Sequence, residues 1–400
     1  MIRSMLWRSV RILSMLILVL GLGGCGIMNW IHGGKSNAAP PAKLKSFAAA
    51  YRVERVWSAD IGGGAGAKFI RLSPALHDGV LYVSEPHGQV RAYVAATGKK
   101  LWGRDLKNTE IEGGTGYADG MVLLGTRNGT VIALNATNGA PLWTASVSSE
   151  VLSPPRGADG IVVAQTVDGS IFGLSAKSGK QLWMQEHTVP ALSLRGSCTP
   201  LIVDHVVVTG LANGKLAAYH ESDGRQLWEI PVSEPHGRNE IARLVDVDAP
   251  PVVVGETLYA DAYHGKLVAF NLASGRIQWS RDVSSYAGMA VDANNIYVSD
   301  ARGYVTAYDL ATGANVWQQT GLHGRWPTAP VVIGDTVAVG DFHGYVHFLS
   351  VDDGRFVARY RMGSAAILAT PAADAETLYV ADQDGDVVAL RLHAKVQSVP

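Results

Sequence analysis

The pattern that runs whole from Asn128 to Trp143 returns along almost the entire chain, and it leaves few folds open. Its lead glycine recurs as Gly88, Gly129, Gly169, Gly214, Gly265, Gly303, Gly344 and Gly385. Two positions on stands an aliphatic residue (Val90, Val131, Ile171, Leu216, Leu267, Val305, Val346, Val387). Four positions on stands a small one (Ala92, Ala133, Gly173, Ala218, Ala269, Ala307, Ala389), with Phe348 as the exception. A second glycine follows (Gly98, Gly139, Gly179, Gly224, Gly275, Gly313, Gly354), and then Trp102, Trp143, Trp183, Trp228, Trp279 and Trp317.

Each lead glycine follows a β-prone run such as Leu81-Tyr82-Val83 or Ile161-Val162-Val163. A glycine there supplies the positive φ of a hairpin turn, and the Asn, Asp or His before it suits the same turn. The next residues alternate in type, as in a strand with two different faces. A second turn, as at Thr97-Gly98, then feeds a strand ending in tryptophan. The small residue should leave room for a large neighbour, and the indole of an adjacent sheet would fit. A repeat near 40 residues with about four short strands describes a β-propeller blade.

The eighth unit lacks its own closing strand, since Lys395 and Val399 stand where glycine and tryptophan belong. Val53-Glu54-Arg55-Val56-Trp57 is a tryptophan-bearing closing strand with no blade before it. The expected fold is therefore all-β: an eight-bladed propeller of four-stranded antiparallel blades over residues 51–395, with 396–400 as a tail. The N-terminal strand completes the C-terminal blade, a closure that hides two sheet edges. In the seventh unit Ala358 replaces tryptophan where Phe348 replaces the small residue, a compensating exchange of volume.

Ahead of the repeats, Arg3, Arg8 and Arg11 precede an apolar run from Ile12 to Leu22, then Gly23-Gly24-Cys25. A basic head, a short apolar core and small residues describe a secretory signal over residues 1–24. The run is short of the roughly 20 apolar residues of a membrane span. Leu22-Gly23-Gly24-Cys25 resembles the bacterial lipobox, which implies a lipid on Cys25; Gly26, in place of Asp, implies an outer-membrane destination. Residues 25–50, rich in Gly, Ala, Pro, Lys, Asn and Ser, are expected to be a flexible tether spanning ~25–30 Å.

A net charge of −1 with 17% charged residues gives no electrostatic case for nucleic acid. Cys25 and Cys198 cannot make a disulfide framework and lack metal-site spacing; Cys198 is expected to be a small buried hydrophobe. Asp246 and Asp248 have no EF-hand partners at the required offsets. Gly62-Gly63-Gly64-Ala65-Gly66 lacks the helix that a phosphate cradle needs, and is expected to be a flexible interblade loop. His87, His264 and His343 share a repeat position but fall on non-consecutive blades, so no metal is assigned to them. The tryptophans belong to the core at this period. No catalytic constellation and no cofactor site emerges.

The spacing from each tryptophan to the next lead glycine is 27, 26, 31, 37, 24 and 27 residues. The two long intervals hold Thr188–Ser197 and Pro235–Pro250, at equivalent points of consecutive blades. They should project side by side from one face, and insertions of this kind usually map to a binding face. Leu192, Leu194, Ile241 and Leu244 support that reading, because apolar loop residues rimmed by charge mark interaction sites.

The unit from Ala92 to Trp102 resembles the tryptophan-docking repeat of quinoprotein dehydrogenases, whose cofactor is pyrroloquinoline quinone (PQQ). The lipobox, the tether and the two long loops, with Leu192-Ser193-Leu194-Arg195-Gly196 and Arg243-Leu244-Val245-Asp246-Val247-Asp248, are more similar to the BamB family of the outer-membrane β-barrel assembly machinery. That resemblance implies a non-catalytic scaffold, lipid-anchored and facing the periplasm, which supports insertion of outer-membrane proteins. It implies that the two segments contact the periplasmic POTRA domains of BamA. The partner-contact residues so implied are Leu192, Leu194, Arg195, Arg243, Asp246 and Asp248; unfolded outer-membrane clients are further candidate partners. The alternatives are a periplasmic PQQ-dependent dehydrogenase or a generic cell-envelope binding propeller. Against the dehydrogenase, the chain has no vicinal cysteine pair and no recognisable Glu, Asn and Asp set for calcium.

Overall fold

The computed structural model describes residues 40–395, apart from 67, 195, 237, 240 and 242. The apolar run 12–22, Cys25, Arg195 and the tail 396–400 lie outside the described residues. The expected propeller is present: eight four-stranded antiparallel sheets, with no helix among the described residues. Seven are built from consecutive strands, the first spanning residues 75–105 and the seventh 331–361. The eighth joins both ends of the chain. Strand β1 (Tyr51–Asp60) pairs antiparallel with β32 (Asp386–Ala394), from Tyr51 opposite Ala394 to Asp60 opposite Asp386.

The core lies between blades. Each of the eight apolar clusters joins residues of two neighbouring sheets, as where Leu123, Val131 and Trp143 of the second blade meet Val162, Phe172 and Leu174 of the third. Because every sheet is covered on both sides, the third strand of a blade is buried nearly throughout, as in β8 (Thr130–Asn135). The alternation expected from sequence survives chiefly in the outer strands, such as Pro141–Ser146.

The register also explains the small residues. Ala92 pairs with Trp102, Ala133 with Trp143, Gly173 with Trp183, Ala218 with Trp228, Ala269 with Trp279, Ala307 with Trp317 and Ala389 with Trp57. The room they leave is for the indole of their own sheet, and not of an adjacent one. In the seventh blade Phe348 pairs with Ala358, both buried, so the exchange of volume occurs across one pair of strands.

Six indoles then lock onto the following blade. The N–H groups of Trp57, Trp102, Trp143, Trp183, Trp279 and Trp317 donate at 2.6–3.2 Å to the carbonyls of Ala95, Ala136, Ala176, Glu221, Leu310 and Val351. The same indoles lie on Gly98, Gly139, Gly179, Gly224, Gly313 and Gly354, where a Cβ would come within 2.4–2.6 Å of the ring. Those glycines also have positive φ, so turn and packing make the same demand.

Part of the expected tether is in contact with the propeller. Leu44 and Phe47 pack against the sixth and seventh blades, with Phe47 stacked on Phe356 at 5.7 Å. The Ala42 and Ala50 N–H groups donate to the His323 and Val357 carbonyls. Burial of these two large apolar side chains offsets the ordering of the backbone.

Candidate docking face

In an up-and-down sheet, connections between blades emerge on the same face as the glycine hairpins. The two long connections therefore share one face, and their contacts show them adjacent. The Leu194 N–H donates to Asp246 Oδ2 at 3.1 Å, and a Cβ on Gly196 would lie 2.2 Å from Asp248 Oδ1. The first loop thus passes over the carboxylates of the second.

The second loop divides into two parts. Val245, Val247 and Ala249 are buried, with Val245 and Val247 in the cluster between the fourth and fifth blades. Gly210 permits this approach, since a Cβ there would lie 2.1 Å from the Val247 carbonyl. Upstream, Ile241 is 70% exposed and Arg243 is also exposed. From the first loop, Leu192 is 44% exposed and Leu194 is half-buried.

Asp246 departs from the surface position expected of it. It is 4% exposed, and its backbone carbonyl accepts the Tyr263 N–H at 2.8 Å. Burial, with neighbouring Asp248, pushes its carboxyl up to about 7, opposed by the N–H groups of Leu194 and Val247. A side chain so placed holds the loop above it through the Leu194 N–H. The Asp248 side chain is 9% exposed, with Arg71 Nη1 at 3.6 Å; burial raises its pKa while Arg71 opposes the rise.

Arg71 had no signal in sequence. It belongs to the connection between the eighth and first blades, opposite the long loops in an eight-membered ring. That glycine-rich connection, expected to be a flexible interblade loop, carries Arg71 across the channel mouth. There its Nη1 donates to the Tyr286 carbonyl at 3.2 Å and its guanidinium stands over the Phe69 and Tyr286 rings. Phe69, Trp326 and Phe342, each at least 40% exposed, form an aromatic row beside it. Below lies a central cavity of about 530 Å3, bordered by Glu112, Arg156, Asp248 and Tyr286.

Cys198 is buried as expected, its thiol pushed up to about 12 by burial and its sulfur 3.3 Å from the Ala249 carbonyl. His87, His264 and His343 make contacts within their own hairpins. The His87 ring meets Glu85 at 2.9 Å, the His264 ring stacks on Tyr263, and the His343 N–H donates to Asp341.

A closed ring of eight blades, six of whose junctions are locked by tryptophan, with apolar insertions on one face, defines the class: a propeller of the PQQ-like repeat type. The family model for outer membrane protein assembly factor BamB matches residues 86–319. An assembly factor BamB from Xanthomonas campestris is 40% identical over 395 residues, covering 96% of this chain and 97% of that protein. The chain belongs to the BamB family. The crystal structure of BamB from Moraxella catarrhalis superposes with a TM-score of 0.79 at 30% identity, covering 85% of this chain and all of that one. A quinohemoprotein alcohol dehydrogenase from Comamonas testosteroni reaches a TM-score of 0.69 at 12% identity, over 87% of this chain and 78% of that one, and so shares the fold alone.

Proposed function

We propose that this outer-membrane protein assembly factor works as a non-catalytic scaffold, binding the POTRA domains of BamA through the face that carries the two long loops. The observation that carries the reading is the Leu194–Asp246 bond, which joins both insertions into one surface bearing Leu192 and Ile241. Interfaces of this kind draw their affinity from a few apolar or arginine anchors shielded from water, each worth ~2 kcal/mol or more. In this reading Leu192, Leu194, Ile241, Arg195 and Arg243 make contact, and Asp246 and Asp248 hold the loops beneath them.

Residues 1–24 are in this proposal a cleaved signal and Cys25 the lipidated residue, with the propeller in the periplasm. Contacts with the propeller begin at Ala42, whose N–H donates to the His323 carbonyl. A pull-down with BamA, beside thermal melts, tests the docking face. Leu192→Glu, Ile241→Glu and Arg195→Glu are each expected to weaken capture at least tenfold; the first two, at exposed loop positions, should melt like the parent, since such changes usually move stability by under about 0.5 kcal/mol. Full capture by all three removes this face from the proposal. Cys25→Ser tests the anchor: the variant should be exported yet leave the membrane fraction.

A further inference from the structure

The face opposite the docking loops carries a second departure from the repeat. In blades one to three the residue after the third strand is Ala95, Ala136 or Ala176, buried beneath the preceding blade's tryptophan. The fourth blade places Glu221 there, 2% exposed. Its backbone still serves the repeat, accepting the Trp183 N–H at 2.7 Å. Its carboxylate does not, because Oε1 has no hydrogen-bond partner among the described residues.

A second departure meets the first. The opening hairpins of blades one to three turn at Asp78-Gly79, Asp119-Gly120 and Asp159-Gly160; in blade four the pair is Asp204-His205, and His205 takes a φ of 62°. Its Nδ1 lies 3.3 Å from Glu221 Oε2 and 3.4 Å from Asp159 Oδ2 of the third blade. The three donor atoms all fall within 4.8 Å of one another.

We propose that Asp159, His205 and Glu221 bind a divalent transition-metal ion of the zinc class. One imidazole nitrogen with two carboxylate oxygens is an established donor set for such an ion. At metal–ligand lengths of about 2.0–2.1 Å, the edge of a tetrahedron is about 3.3–3.4 Å. The two separations from His205 Nδ1 have that size before any rearrangement. The buried, incompletely bonded Glu221 carboxylate gains the positive partner that a buried charge requires. Asp159 and His205 are largely exposed, so the ion can enter from solvent and keep a water as its fourth ligand. The ion would join the third blade to the fourth on the face opposite the first long loop.

Titration calorimetry of chelator-stripped full-length protein with zinc chloride, supported by the visible spectrum of its cobalt(II) form, tests the site. The expected result is one saturable equivalent and an absorption of tetrahedral type. Glu221→Ala and His205→Gly each restore the residue found in blades one to three, so both variants should fold. Each should weaken zinc binding at least about tenfold and remove the cobalt spectrum. Absence of saturable binding by the parent overturns the proposal. So does undiminished binding by either variant, which would place the ion elsewhere. BamA capture is read separately and bears on the docking face alone.

Discussion

The third and fourth blades leave by similar long loops, yet their junctions with the next blade are built differently. At the junction of blades three and four, Trp183 is buried, donates to the Glu221 carbonyl, and lies against Gly224, where a Cβ would meet the ring at 2.6 Å. At the junction of blades four and five, Trp228 is only half-buried and leans on Phe270, ring centres 5.5 Å apart. The equivalent glycine, Gly275, has nothing within 4 Å of its Cβ position. Val245 and Val247 of the inserted loop are buried in that junction. The tryptophan lock is thus one solution to joining blades, and the junction of blades four and five is packed without it.

The sharpest way to break this comparison is to delete each indole. Trp183→Ala removes a buried aromatic and its hydrogen bond, with an expected loss of ~3–5 kcal/mol. Trp228→Ala removes a less buried indole and should cost measurably less. Equilibrium denaturation of both variants measures the gap. Equal losses would mean that Trp228 carries its junction after all.

The two glycines separate packing from backbone. Gly224 and Gly275 have nearly the same φ, 70° and 68°, so alanine meets the same conformational penalty at both, about 1–2 kcal/mol. Only at Gly224 does the new methyl also strike an indole, adding roughly 1–3 kcal/mol of overpacking. Gly224→Ala should therefore melt well below Gly275→Ala. Indistinguishable melts would show that positive φ alone selects these glycines.

Most of the architecture was legible because a repeat states its rule many times. Glycine spacing marked the hairpins, and the unpaired Trp57 strand disclosed the closure. Loop lengths placed the two insertions together. What stayed hidden depends on contacts between distant residues. Asp246 lies in a polar-looking loop, and nothing local says that Leu194 will need its oxygen. Arg71 reaches Asp248 only because the ring is closed. Glu221 and His205 break the repeat visibly, but their meeting with Asp159 appears only when neighbouring blades are side by side. Leu44 and Phe47 were the available sign that the tether is partly bound.

A pH-dependent effect concerns Asp246, which ties the loop of one junction to the loop of the next. Its ordinary pKa is ~3.9, and burial beside Asp248 raises it to about 7 in the folded protein. A carboxyl raised on folding holds its proton in the native state after the unfolded chain has lost it. Its stabilising share is therefore complete below about pH 4 and disappears as pH rises through about 7. Asp246→Asn keeps an acceptor for the Leu194 N–H but cannot ionise. Other groups titrate in this range, among them His187 and His347, whose lowered pKa values act in the opposite sense. The difference between parent and variant largely cancels them. Measured from pH 4 to 8, the melting temperature of Asp246→Asn relative to the parent should rise and then level off above about pH 7. A difference that stays constant over this range would mean that Asp246 remains ionised in the folded protein, held by more than the N–H groups of Leu194 and Val247.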